Sequence, residues 1–323
     1  MMRIGFHASS LLLHDEVAIV SALAAIGYQA VTIRPRCGSL DPTDERFAPQ
    51  MLRLADAIAR NEMQLIIDTN GAFLSDPHRY DGPALAADDG AESDQAEAWI
   101  LRWIEIAEEF SASTVIFSTG SATRKADTSA RRTPAVQPGT AESNAAQLRP
   151  EPTRQPLPFQ QPAIAHSGGG NAADESTLNR LSERLNRLTE RSKASGVRLA
   201  LRPASRDVVA TVAQFERIVQ WVDQPDTLYL AADVAEMLKE GEFPVADRLT
   251  RNLSRLACVY LCEREADGSR DQLPTHCEID MGRITQSLRR LGFAGTVIAK
   301  VQGHSEKGLG LARDALEWFA ETD

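Results

Sequence analysis

Short runs of β-branched and aliphatic residues alternate with helical patterns from one end of the chain to the other. Such apolar runs are typical of buried strands, and apolar residues spaced three and four apart are typical of helices that pack one face on a core. The predicted strands are residues 3–7, 30–34, 64–68, 114–118, 197–202, 227–232, 256–262 and 296–301. The predicted helices are residues 15–26, 43–61, 95–110, 176–195, 209–222, 234–238 with 245–253, 280–291 and 306–320. The pattern therefore predicts eight strand–helix units in succession.

Glycine residues end several of the predicted helices just before the next strand, at Gly27, Gly196 and Gly292. A left-handed helix cap needs no Cβ, so these positions support regular strand–helix winding. Eight units are the number in a closed (β/α)8 barrel, whereas an open doubly wound sheet usually has fewer strands and a glycine-rich phosphate loop after the first. The turn after the first strand reads His-Ala-Ser-Ser, without that loop. We therefore predict an α/β protein with a (β/α)8 TIM barrel formed by residues 1–120 and 176–323.

Residues 121–175 break the pattern, since they are rich in Pro, Gln, Ala and Ser and poor in large apolar residues. Such a segment buries too little apolar surface to offset the conformational entropy lost on ordering, so we predict a disordered, low-complexity insertion. The segment follows the fourth strand, on the barrel face where active sites lie. A mobile lid or a segment that docks a protein partner is the alternative.

The overall charge narrows the classes of partner. A formal net charge of −10 argues against a nucleic-acid surface and against attraction to an anionic membrane, which leaves a small molecule or a protein. Apolar runs fall short of the roughly 20 residues of a membrane span, and acidic residues directly follow the short apolar patch near the N-terminus, unlike a signal peptide. We expect a soluble, cytoplasmic protein whose four cysteines stay reduced.

Several segments resemble the sugar phosphate isomerase/epimerase family, the xylose isomerase-like TIM barrels. The segments are MRIGFHAS, VTIRP with LDP, LIIDT with FLSDP, VIFSTG, VRLALRP and ADV, in that order. Together they span nearly the whole chain outside the insertion. The resemblance implies a barrel that isomerises or epimerises sugars, with its site at the carboxyl ends of the strands.

The resemblance also implies a divalent cation, held by a Glu ending strand five, an Asp ending strand six, a His on strand seven and a Glu ending strand eight. The two glutamates would move protons at carbon. Asp233 stands at the position of the Asp, but Arg202 and Lys300 stand where the two glutamates are expected. Strand seven has Cys258 and Tyr260 where histidine is expected. The chain thus departs from the family pattern at three of four ligand positions.

Charge decides how this departure is interpreted. Hard cations such as Mg²⁺ prefer oxygen ligands, whereas a guanidinium supplies only donors and a permanent charge. Two unit charges about 4 Å apart repel by roughly 4 kcal/mol at an effective dielectric of 20, and a doubly charged ion suffers more. We therefore expect no metal cofactor, with Asp233 the one retained ligand position.

Two interpretations of the substituted site remain open. Arg202, Asp233 and Lys300 can form an ion-pair cluster that closes the barrel mouth. Alternatively, the two cations flank Asp233 and leave excess positive charge for the phosphate or carboxylate of a small sugar-like ligand. Polar residues at the other strand ends would then hold sugar hydroxyls. The candidate ligand-binding residues are His7, Arg34, Asp68, Ser118, Arg202, Asp233, Lys300 and His304.

A working isomerase with a rearranged site is the main alternative to a non-catalytic or divergent barrel. The catalytic candidates are Asp233, Glu236 and Lys300, with Glu236, Glu263 or Glu278 supplying the acid and the base.

Two further chemistries are conceivable. Lys300 beside an arginine would have a depressed pKa and could form a Schiff base. A zinc site could be built from Cys258 or Cys262 with His276 and Asp233, although the spacing matches no zinc motif.

Overall fold

The protein is described by a computed structural model that covers residues 1–36, 38–71, 74, 82–122, 175–264, 271–273 and 281–321. Eight parallel strands form a closed barrel, namely β1 (Arg3–His7), β2 (Ala30–Ile33), β3 (Gln64–Asp68), β4 (Thr114–Phe117), β5 (Arg198–Leu201), β6 (Leu228–Asp233), β7 (Leu256–Leu261) and β10 (Thr296–Ala299). The order of neighbours around the barrel is β1-β10-β7-β6-β5-β4-β3-β2. Two short strands, β8 (Glu263–Arg264) and β9 (Asp271–Gln272), pair with each other outside the barrel. The predicted (β/α)8 fold is confirmed.

Nine helices occur in the described residues. They are α1 (Glu16–Ile26), α2 (Phe47–Arg60), α3 (Gly90–Glu109), α4 (Glu175–Ser195), α5 (Val212–Val219), α6 (Val234–Lys239), α7 (Val245–Arg251), α8 (Met281–Arg290) and α9 (Gly308–Glu321). Each overlaps a predicted helix. None of these helices combines the length and the hydropathy that crossing a bilayer requires.

The largest differences from the predicted boundaries have local causes. Helix α2 starts later than predicted because the carboxylates of Asp41 and Asp44 accept hydrogen bonds from backbone N–H groups two residues further on, which favours turns there. Helix α3 starts earlier because Asp89 caps it, accepting from the N–H of Ala91 at 2.9 Å.

The predicted glycine caps are confirmed. Gly27 has φ 120° and donates its N–H to the last turn of α1. Gly196 and Gly292 have φ 70° and 75°, after α4 and α8. These are left-handed conformations that only glycine adopts without strain. Each glycine therefore ends its helix a few residues before the next barrel strand begins.

Period-two alternation along the strands separates an inner layer from an outer one. Inner side chains include Ile66, Ile116, Ala200, Ala231 and Ile298, which form one small cluster with Cys258 and Tyr260. The residues between them pack outward against the helices in the main core. Small alanines on β5 and β6 leave room for the larger ring of Tyr260 inside the barrel.

Helix α4 resumes the barrel after residues 123–174, which lie outside the described residues, as does nearly all of the insertion predicted for 121–175. It is held to α3 by Arg184 and Arg187, which both bind the carboxylate of Glu97. A third contact joins Arg180 to Asp88 at 2.7 Å. The register of α4 on α3 is therefore fixed by side chains within the described barrel.

Candidate functional site

Charged side chains converge where the strands end, at the barrel face that carries active sites in this fold. The mouth cluster consists of His7 of β1, Arg34 after β2, Asp68 of β3, Arg202 after β5, Asp233 of β6 and Lys300 after β10. All except Arg34 are buried, and the Arg34 side chain is 22% exposed. The structure thus brings together six of the eight residues predicted to bind a ligand.

Asp68 is the centre of one half of the cluster. Its Oδ2 accepts hydrogen bonds from Arg202 Nη1 at 2.8 Å and Arg34 Nη2 at 2.7 Å, and lies 3.4 Å from His7 Nε2. Its Oδ1 accepts from Asn70 Nδ2 at 2.7 Å. Burial alone would raise the pKa of Asp68, but the two guanidinium groups and His7 outweigh it and hold the pKa well below its usual range. Asp68 is a buried, permanently charged carboxylate.

Asp233 is the centre of the other half. Its Oδ2 accepts from Lys300 Nζ at 2.8 Å, and its Oδ1 caps α6 by accepting from the N–H groups of Ala235 and Glu236. Burial raises the pKa of Asp233, but Lys300 and then Arg202 more than compensate, so the net shift is downward. One carboxylate therefore both starts a helix and neutralises the ammonium group.

Lys300 and Arg202, the two cations predicted to flank Asp233, both lower its pKa, but their hydrogen bonds go to different carboxylates. Arg202 hydrogen-bonds Asp68 at the end of β3, two strands from β5, whereas Lys300 hydrogen-bonds Asp233. The Arg202 side chain is long enough to span the end of β4, the strand between β5 and β3, and Oδ2 of Asp233 already accepts from Lys300.

His7 is a buried, neutral imidazole. Burial lowers its pKa to about 4, an effect that the hydrogen bond with Asp68 offsets only in part. Its Nδ1 accepts from the N–H of Ser9 at 3.2 Å, which leaves Nε2 to carry the proton towards Asp68. The Ser9 hydroxyl lies 2.6 Å from the same Nδ1, and Gln302 Nε2 donates to that hydroxyl at 3.1 Å.

Ser9, His7 and Asp68 have the connectivity of a Ser-His-Asp triad, but their electrostatics do not suit acyl transfer. A general base is most effective with a pKa near the working pH, and the pKa of His7 is about 4. Asp68 is also neutralised by Arg202 and Arg34, so it is a poor stabiliser of an imidazolium. The contacts of Ser9 with Nδ1 and of Asp68 with Nε2 instead fix the orientation of the His7 ring.

Tyr260 lies between the two halves of the cluster. Its ring centroid is 5.9 Å from Arg202 Cζ, 5.9 Å from Lys300 Nζ and 5.8 Å from the ring of His7. Two cations on an aromatic ring gain attraction from its electron-rich faces. In the sequence, the period of two places Tyr260 on the same face of strand seven as Cys258 and Cys262, and the structure places Tyr260 and Cys258 in one inner cluster.

Comparison with protein families shows which family the chain belongs to. The family model of the xylose isomerase-like TIM barrel matches residues 159–322, about half of the chain. The chain belongs to this family.

Solved structures of sugar epimerases resemble this xylose isomerase-like barrel at low sequence identity. An L-ribulose 3-epimerase has a TM-score of 0.67 and 17% identity, covering 100% of this chain and 94% of its own. D-psicose 3-epimerase from Clostridium cellulolyticum H10 has a TM-score of 0.67 and 14% identity, covering 99% of both chains. The 3-keto-D-glucoside 4-epimerase of E. coli has a TM-score of 0.66 and 16% identity, covering 99% of this chain and 100% of its own. A search of curated protein sequences gave no match. These likenesses establish the fold.

The donor set at the mouth of this xylose isomerase-like barrel does not fit a divalent cation. Asp233 and Asp68 already accept hydrogen bonds from Lys300, Arg202 and Arg34, so a metal ion would meet fixed positive charges. Within the described ranges, histidine, cysteine, aspartate and glutamate side chains nowhere form a group of three that could ligate a metal.

The predicted zinc site gains little support from its described members. Cys262 Sγ lies 4.0 Å from Asp233 Oδ1, but burial raises the pKa of the Cys258 thiol, which disfavours the thiolate that zinc needs. His276 lies outside the described residues.

Of the glutamates predicted to act as acid and base, Glu236 is hydrogen-bonded to Ser205 and Glu263 lies outside the barrel. Glu236 accepts hydrogen bonds from Ser205 N–H at 3.1 Å and Ser205 Oγ at 2.8 Å. Burial and Asp233 raise the pKa of Glu236, but the Ser205 bonds prevail and the net shift is downward. Glu263 lies on β8, outside the barrel, and Glu278 falls outside the described residues.

Ser118 and His304, the two remaining residues predicted to bind a ligand, lie outside the mouth cluster. Ser118 Oγ donates to Asn70 Oδ1 at 2.9 Å, which links it to Asp68 through Asn70. Sequence reasoning missed Asn70, whose position two residues after a strand-ending aspartate is a recognisable turn signal. His304 lies in the loop after β10, partly exposed, and makes no side-chain hydrogen bond to the mouth cluster within the described residues.

Proposed function

We propose that this barrel binds a small anionic sugar, such as a sugar phosphate or a sugar acid, at its mouth, and that it is a divergent member without the family's metal-dependent reaction. The observation that carries the proposal is the position of Arg202 and Lys300. Each lies 2.8 Å from a buried carboxylate at the strand ends. Cations thus stand at the positions where the family resemblance places metal ligands.

The mouth cluster has an excess of positive charge. Three cations, Arg34, Arg202 and Lys300, face two carboxylates, Asp68 and Asp233. Arg34 and Arg202 share the single carboxylate of Asp68, and buried charges are stable when paired, so an anion bound beside these two guanidinium groups would balance the second of them. An anionic group on a ligand supplies it.

Arg202 is the residue best placed to receive that anion. Among the described residues its guanidinium hydrogen-bonds only Asp68, through Nη1, and its side chain is 11% exposed. Nη2 and Nε are therefore available for a bidentate contact with a phosphate or carboxylate. Burial tends to lower the pKa of Arg202, but Asp68 reverses this and the net shift is upward, so the positive charge is permanent.

The sugar-like part of the ligand is supported by the family and by the polar strand ends. The solved structures with this fold include sugar epimerases. Asn70 and Ser118 form a hydrogen-bonded pair beside Asp68, with amide and hydroxyl groups of the kind that sugar hydroxyls can bind.

The proposal is tested by calorimetric titration with D-fructose 6-phosphate, D-gluconate and uncharged D-fructose. We expect one of the two anions to bind and D-fructose to bind much more weakly. Arg202→Met should weaken anion binding by at least about tenfold, because a lost hydrogen bond to a charged group is worth about 1.5–3 kcal/mol. Arg198→Met is the matched control, since Arg198 starts the same strand at the opposite end of the barrel. Equal affinity of wild type and Arg202→Met, or binding of neither anion, would overturn the proposal.

A further inference from the structure

Two hydroxyl groups inside the barrel have no hydrogen-bond partner within the described residues. Tyr260 and Thr32 are both completely buried, and their hydroxyl oxygens are both unpaired. Buried hydroxyls are almost always hydrogen-bonded, because an unmade bond costs the group its hydration without return. Phenylalanine and valine would fill the same spaces without that cost.

Both side chains belong to the inner layer at the mouth. On β7, Val259 and Leu261 pack outward in the main core, so Tyr260 between them points inward. On β2, Val31 and Ile33 pack outward, and Thr32 points inward by the same rule.

His7 connects the two hydroxyl-bearing residues. Thr32 is paired with His7 in the strand register, and the ring of Tyr260 lies 5.8 Å from the ring of His7. The unpaired hydroxyls are therefore neighbours of the mouth cluster.

Their place in the fold distinguishes them from the unpaired indole N–H of Trp103. Trp103 Nε1 is also buried without a partner, but Trp103 lies on α3, packed against Phe47 in the outer layer. Tyr260 instead has Arg202 and Lys300 beside its ring. Burial raises the pKa of the Tyr260 phenol well above its ordinary value, so the hydroxyl keeps its proton and can donate it.

We propose that the hydroxyls of Tyr260 and Thr32 donate hydrogen bonds to oxygen atoms of the bound anionic sugar and set the specificity of the mouth. This inference rests on the function proposed above. Tyr260 binds an anionic oxygen held by Arg202, and Thr32 binds a neighbouring oxygen beside His7. Arg202 Cζ lies 5.9 Å from the centroid of the Tyr260 ring and the Arg202 side chain is 11% exposed, so the proposed anion and the phenol have Arg202 as a common neighbour.

The substitutions Tyr260→Phe and Thr32→Val remove each hydroxyl and keep the shape of the side chain. Tyr28→Phe is the matched control, because the buried hydroxyl of Tyr28 does have a partner, the carbonyl oxygen of Ala312 at 2.8 Å. The measurements are the melting temperature without ligand and the Kd for D-fructose 6-phosphate and D-gluconate. The two probes separate a phosphate from a carboxylate as the anionic group.

We expect Tyr260→Phe and Thr32→Val to melt at or above the wild-type temperature and to bind the preferred anion more weakly. The loss should be at least about tenfold for Tyr260→Phe, since its partner is charged. Tyr28→Phe should melt about 2 °C or more below the wild type and bind the anion equally well.

The outcomes distinguish this inference from the proposed function. If the wild type binds an anion and Tyr260→Phe binds it equally well, the inference is wrong and the proposed function stands. If Tyr260→Phe lowers the melting temperature as much as Tyr28→Phe does, its hydroxyl serves the fold, and the inference is wrong whatever binds. If the wild type binds neither anion, the proposed function fails and this inference fails with it.

Discussion

Lys300 Nζ lies 2.8 Å from Asp233 Oδ2, and this pair joins the ends of β10 and β6 across the strand between them, β7. Both side chains are buried. The ring of Tyr260 on β7 lies beside the ammonium group. A lysine thus supplies, within the protein, the positive charge that balances Asp233.

The first prediction concerns the strength of this buried pair. Lys300→Met removes the ammonium group that hydrogen-bonds Asp233, and Asp233→Asn removes the carboxylate while keeping a residue that can cap α6. Each single change should lower the free energy of unfolding by about 3–5 kcal/mol, because it breaks a buried ion pair by removing one partner. The measurement is urea unfolding followed by circular dichroism.

The double variant completes a thermodynamic cycle. Since neither charge remains in it, we expect its destabilisation to fall short of the sum of the single changes by at least about 1 kcal/mol. Additive single effects would show that the two groups do not interact as the structure indicates.

The second prediction follows from the pKa of His7. Burial lowers it to about 4, whereas the unfolded chain titrates near the ordinary value of 6.5. Between these values the unfolded state binds more protons, so the free energy of unfolding falls as the pH is lowered from about 6.5 to 4. The shift corresponds to about 3 kcal/mol.

His7→Gln removes the titrating group and isolates its contribution. Urea unfolding of both proteins at pH 7 and pH 4.5 should show a smaller pH dependence for the variant. Parallel stability curves would mean that His7 titrates normally in the fold and is not held in a buried, neutral form.

The third prediction tests how α4 is held on α3. Glu97 accepts from Arg184 Nη1 at 2.6 Å and Arg187 Nη2 at 2.7 Å, and its side chain is largely buried. Glu97→Gln should lower the free energy of unfolding by about 1–2 kcal/mol, allowing for the partial exposure of Arg187. Glu105→Gln on the same helix is the control, since its pair with Arg102 is exposed and should contribute less than about 0.5 kcal/mol. Equal effects would remove the special role of Glu97.

The fourth prediction concerns residues 124–168, within the predicted insertion. The described contacts between α3 and α4, including Arg191 with Glu108 at 2.6 Å, hold α4 without them. Replacing residues 124–168 by a short Gly/Ser linker should leave the melting temperature of the barrel nearly unchanged. If the segment docks a protein, the same deletion should abolish capture of that protein. Loss of cooperative unfolding in the shortened chain would show that the segment is part of the core.

The barrel could be predicted from the sequence because strand and helix periods differ and because glycines such as Gly27 and Gly196 mark the helix ends. The positions of Lys300 and Asp233 at the mouth were implied by the family resemblance, since the periodicity alone placed Lys300 within the predicted strand 296–301. The hydrogen-bond partner of Arg202 was not implied, because a long side chain can reach past the neighbouring strand to a carboxylate that is remote in sequence. The unpaired hydroxyl of Tyr260 likewise depends on the whole inner layer and on no local pattern.

The central claim is that Arg202 and Lys300 replace the divalent cation that the family resemblance places at the mouth. Calorimetric titration of the full chain with Mn²⁺ tests it most directly, with Asp233→Ala as the comparison. We predict no binding in the micromolar range, because Arg202 and Lys300 already occupy the carboxylates that a metal ion would need. Micromolar Mn²⁺ binding that disappears in Asp233→Ala would contradict the account.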